Sequence, residues 1–117
     1  MADIVIVIKK ISKKELKRLA KRRFGDLVKA VVDIKRGVMA VGGELHADEE
    51  AKLLKNGSEQ HYLWGANLYP DKSEKNFIEF DSVINIRPSQ NNRSRNVESP
   101  EIRQKVKDII KKLTSRN

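Results

Sequence analysis

The chain has 117 residues, no cysteine, and 25 Lys or Arg against 16 Asp or Glu, for a formal charge of +9. That length bounds it to one domain, residues 1–117, able to bury a core without staples. The missing cysteine excludes disulfides, thiol catalysis and thiolate metal sites, and only six aromatic rings other than histidine argue against a stacking platform for single-stranded nucleic acid.

The continuous β-branched run Ile4 to Ile8 predicts a strand buried on both faces and central in its sheet. Five apolar residues are too few for a signal segment or a membrane span, so the expectation is a cytoplasmic protein without a membrane partner. Ser12 with Glu15 three residues later is a capping box. It opens a helix whose stripe is Leu16, Leu19, Ala20 and Phe24, with Gly25 as its stop. Lys29–Ile34 and Val38–Val41 read as a hairpin turning at Gly37. Gly42-Gly43 allows a close backbone approach or an unusual φ. A short helix follows over Asp48–Asn56, acidic at its start, with His46 or Asp48 as N-cap and Gly57 as C-cap. Gln60–Tyr69 is weakly strand-like. Phe77–Arg87 alternates with period two and stops at Pro88, which has no N–H for a ladder. Ser99-Pro100-Glu101 starts a last helix, with stripe Ile102, Val106, Ile109, Ile110 and Leu113.

The predicted order is βαββαββα. It describes an α+β domain with a mixed or antiparallel sheet of about five strands, two main amphipathic helices on one main face, and one short helix. Charge is layered along it. Residues 1–36 carry twelve bases and four acids, residues 37–86 four and nine, and residues 87–117 nine and three. A basic excess favours polyanionic partners.

Two segments concentrate chemistry. Glu79 and Asp81 share one strand parity with Asn85 and Arg87, and a polar run through Ser89, Gln90, Asn92, Arg93 and Arg95 follows. Guanidinium forks with amides and hydroxyls suit phosphate or carboxylate. The second segment, Glu44 to Glu50 beside the Gly-Gly bend, holds His46 and Asp48, which could act as acid and base or share a divalent metal. Asn67, beside Trp64-Gly65, would need partners if buried. No nucleophile elbow, phosphate loop, dinucleotide fingerprint or EF-hand spacing occurs.

Three strings, VVDIKRGVMAVGGELHADEE, LWGANLYP and IEFDSVINIRPSQNNRSRNVESPEIR, resemble a prokaryotic family of small proteins of unknown function, over roughly residues 26–113. The resemblance implies no reaction, cofactor or ligand. The family pattern has glycine where this chain has Asn91, which implies a turn conformation there that Gly prefers and Asn tolerates.

Three functions fit the sequence. One is binding of an anionic partner, a nucleic acid or a phosphorylated ligand, through Arg87, Ser89, Gln90, Asn92, Arg93 and Arg95. Another is a metal-assisted phosphodiester-type hydrolase using His46, Asp48, Glu79 and Asp81, with Glu44, Asn67 and Asn85 as further pocket residues. The only cofactor it would need is a divalent metal. The third is a homodimeric interaction module using Tyr62, Trp64 and a sheet edge. The same acids and arginines could instead neutralise one another in a network that stiffens the 88–98 loop.

Overall fold

The computed structural model describes residues 4–114. Its elements are β1 (Val5–Val7), α1 (Lys13–Arg23), β2 (Val28–Asp33), β3 (Val38–Val41), α2 (His46–Lys55), β4 (Leu63–Leu68), β5 (Ile78–Glu79) and α3 (Pro100–Leu113), in the expected order. The strands form one antiparallel sheet, β1-β3-β2-β4-β5.

Local chemistry accounts for most of the boundaries. The Ser12 hydroxyl accepts from the Glu15 N–H, and Ser99 does the same for Ile102. At the far end of α1, Gly25 takes φ +92° and its N–H donates to the Ala20 carbonyl.

Side chains leave alternate faces of the sheet. Val28, Ala30, Val32, Met39, Trp64 and Leu68 pack against α1 and α3, whereas Val31, Val38, Ala40 and Leu63 pack against Leu53 of α2. The helices therefore cover both faces, with α2 opposite the other two, and not one main face as the pattern suggested. β1 also departs from expectation. It lies at the sheet edge, with Val5 37% and Ile8 67% exposed. Its apolar run reflects helices above and below, since Ile4 and Ile6 join one core and Val7 the other. Cover on both faces does not require a strand on both sides.

The expected strand Phe77–Arg87 shrinks to Ile78–Glu79. The Ser82 hydroxyl accepts from the Ile84 N–H and starts a 3₁₀ turn over Val83–Asn85. Arg87 and Asn92 then pair through both backbone groups and close a tight loop over Pro88–Gln90. Asn91 sits in that loop at φ 60°, ψ 27°, the left-handed turn implied by the resemblance. Asn91→Gly should hold or raise stability by up to about 1 kcal/mol, and Asn91→Val should lower it by about 1–2 kcal/mol. Thermal unfolding of the two variants gives the comparison, and equal melting temperatures would contradict it.

Candidate functional site

β5 pairs with β4 only at Asn67 and Leu68. Further along β4 the outward N–H and C=O groups need other partners. Asn85 supplies them. Its Nδ2 donates to the Gly65 carbonyl at 3.0 Å, and the Gly65 N–H donates to its Oδ1 at 2.8 Å. One side-chain amide thus reproduces the two-way exchange of a paired strand residue. The chain comes so close here that a Cβ on Gly65 would lie 2.6 Å from the Ser82 Oγ.

Arg87 extends the seal. Its guanidinium donates to the carbonyls of Leu63 and Gln60 and lies 4.3 Å over the Trp64 ring. Burial pushes it below the ordinary arginine value. Gln90 donates to the His61 carbonyl, and the buried Asn92 amide reaches the carbonyls of Asn85, Ser94 and Asn96 and accepts from the Glu98 N–H. Asn85 is therefore a strand surrogate rather than a pocket residue. Arg87, Gln90 and Asn92 are committed to internal hydrogen bonds, while Ser89 and Arg93 are exposed. Trp64 is buried under Arg87, so its ring is not offered to a second subunit.

A cleft of about 210 Å³ opens between the start of α2 and the segment after β5. Lys29, Leu45, His46, Asn67, Asp81 and Arg95 line it. Each of the three strings quoted above contributes to it. Arg95 is ion-paired with Asp81, and this partner raises the Arg95 value. His46 Nε2 lies 2.9 Å from the Ala66 carbonyl. Burial pushes the imidazole down to about 4, against the opposing pull of that carbonyl. The ring is therefore neutral near pH 7, with Nε2–H donating.

Asn67 is only 7% exposed. Its Nδ2 donates to Glu79 Oε1 at 3.0 Å, but its Oδ1 is buried without a hydrogen-bond partner. Glu79 Oε1 also accepts from the Tyr69 hydroxyl at 2.7 Å, which pushes that phenol up to about 12. Leu45, immediately before α2, gives the helix no side-chain cap. Among the described residues, the N–H groups of His46 and Ala47 meet no acceptor.

The acid–base candidates do not converge. His46 and Asp81 line the cleft, Glu44 and Asp48 line a separate concavity of about 440 Å³ beside Arg23 and Lys52, and Glu79 lies outside both. The reason is the start of α2 at His46 rather than Asp48. Two residues apart on a helix, His46 and Asp48 cannot share a face. Among the described residues, no group of three or more His, Asp or Glu could hold a metal ion.

Two residues of this region were missed from sequence. Lys29 is the one basic residue of β2, whose other charge is Asp33 at its end, and alternation puts it on the α2 side with Val31. Glu49 follows His46 by three residues and precedes Leu53 by four, so a helix starting at His46 buries all three. Its Oε2 accepts from the Gly43 N–H at 2.8 Å and its Oε1 has no partner. Burial raises this carboxyl well above its usual range. A Cβ on Gly43 would lie 2.9 Å from the Glu49 Cγ, which is the close approach expected of the Gly-Gly bend.

Fold and cleft together define a small α+β domain with helices on both faces of an antiparallel sheet and a polar cleft under a helix start. The chain belongs to the family described as Protein of unknown function (DUF5674), which matches residues 5–113. No curated protein and no solved structure matches it. Among the described residues, no helix is long and apolar enough to cross a membrane.

Proposed function

We propose that the cleft binds a small phosphorylated molecule that also carries a hydroxyl or amino donor. The observation that carries this reading is the buried, unpartnered Asn67 Oδ1 in a cleft that also offers Lys29, Arg95 and the free N–H groups at the start of α2. A buried acceptor without a donor costs roughly 1–3 kcal/mol, and a ligand donor would recover it. Helix N-termini favour anions through their N–H groups and dipole, and two nearby cations reinforce that preference. The volume of about 210 Å³ favours a small ligand. Arg95 is the member of the polar loop that takes part, steadied by Asp81.

Glycerol phosphate, a phosphate monoester with free hydroxyls, is the probe of choice, with inorganic phosphate as the anion alone. Isothermal titration should show glycerol phosphate binding more tightly than phosphate. Lys29→Met should weaken both by about tenfold or more, since a charge-assisted hydrogen bond is worth roughly 1.5–3 kcal/mol. Asn67→Leu, which removes the acceptor without adding charge, should weaken glycerol phosphate in particular. No heat from either probe at millimolar concentration, or equal affinity in the Lys29→Met protein, would overturn the proposal.

A further inference from the structure

A third concave region lies on the opposite face of the sheet edge. On α3, Arg103, Lys107 and Lys111 stand four residues apart and so form one stripe. That stripe walls a groove of about 510 Å³ whose other side is Lys75 and whose floor is Ile78 and Phe80. A neighbouring hollow of about 290 Å³ shares Lys111 and Glu74 with it and adds Lys13 and Phe77. The two hollows make one trough between α3, the start of α1 and the loop before β5. Its single acid, Glu74, is already bound to Lys111 at 3.2 Å.

We infer that this trough holds a single-stranded nucleic acid. Four cations, Lys13, Lys75, Arg103 and Lys107, beyond the Lys111–Glu74 pair complement a run of phosphates. The apolar floor distinguishes a strand from other polyanions. Two of the three phenylalanines of the chain, Phe77 and Phe80, lie there half-buried, where unstacked bases could contact them. The trough thus joins two of the six aromatic residues to a recessed basic surface. A duplex keeps its bases stacked inside and would meet only the rim. The occupant is distinct from that of the cleft, because Ile78 and Phe80 line the trough while Asp81, on the other parity, lines the cleft.

The test is fluorescence polarisation with a labelled twelve-nucleotide oligo(dT) and oligo(U), a hairpin duplex, and polyglutamate as competitor, at two salt concentrations. The expected result is single-strand binding tighter than duplex binding, with log K falling against log salt at a slope of about −2 to −3, as three or four strand phosphates require. The double change Lys75→Glu with Lys107→Glu should weaken it at least tenfold. Phe80→Leu, which keeps an apolar floor, should weaken it severalfold and leave the salt slope unchanged. Lys29→Met in the cleft should have no effect. Circular dichroism melts of each variant confirm that it is folded. Duplex binding as tight as single-strand binding, unaltered affinity in the charge-reversed protein, or equal competition by polyglutamate would each overturn the inference.

Discussion

Asn85→Leu should lower the unfolding free energy by about 3–4 kcal/mol, the largest effect expected of any single polar substitution outside the apolar core. The side chain is fully buried and serves three backbone groups, the N–H and C=O of Gly65 and the C=O of Arg95. Leucine fills a similar volume but offers no hydrogen bond, so the buried N–H and C=O of Gly65 lose their partner at roughly 1–3 kcal/mol each, while the Arg95 carbonyl keeps the Ser82 N–H. Asn85→Asp keeps the acceptor for Gly65 but sets a carboxylate against two carbonyls, and should also be strongly destabilised. Urea denaturation measures both. A loss below about 1 kcal/mol with an unchanged m-value would show that the β4 edge does not depend on this amide.

The second large effect is on the pH dependence of stability, where two buried groups of α2 oppose each other. His46 has a native value of about 4 against 6.5 for the free side chain. Between those values the unfolded chain binds a proton that the native chain refuses. Stability from His46 therefore falls as pH drops from 6.5 toward 4, by up to about 3 kcal/mol. Glu49 is shifted the other way, well above 4.5. Its contribution is complete below pH 4.5 and is lost as pH rises through the native value. The charges around His46 are Lys29, Asp81 and Arg95, and those around Glu49 are Lys29, Asp48 and Arg23. Relative to the parent, Glu49→Gln should lose stability more steeply on acidification from pH 6.5 to 4.5, because His46 is then unopposed. His46→Asn should lose less over the same range or gain. Denaturant midpoints at half-unit pH steps would show it. Parallel profiles for the three proteins would mean that neither group is buried as described.

Much of the architecture was legible because it rests on local rules. Ser12, Ser99 and Pro100 start helices by capping chemistry, and Gly25, Gly37 and Gly57 take the positive φ their turns demand. The left-handed turn at Asn91 was readable for the same reason, since Asn tolerates that conformation. What escaped was non-local. A β-branched run records cover by helices on both faces, and nothing in Ile4 to Ile8 says whether a second strand lies alongside. The alternation from Phe77 to Arg87 is real, but Ser82 and Asn85 divert their hydrogen bonds from the ladder, and period-two patterning cannot register that competition. At the candidate site, two residues' error in the start of α2 hid Glu49 and paired His46 with the wrong acid. Lys29 was overlooked because a lysine in a strand reads as exposed until a helix is known to lie across it.

The side-chain seal along β4 also bears on how this chain behaves in a crowded solution. Growth of a sheet from one molecule into the next needs a row of unsatisfied backbone groups for the incoming strand. From Leu63 to Gly65 those groups are already occupied by Arg87 and Asn85, and β5 beyond them is two residues long. The opposite margin, β1, is three residues long and runs into the exposed Lys9 and Lys10, which would repel their counterparts in a second copy. Polymerisation is thereby discouraged at both margins, by occupied hydrogen bonds at one and by like charge at the other.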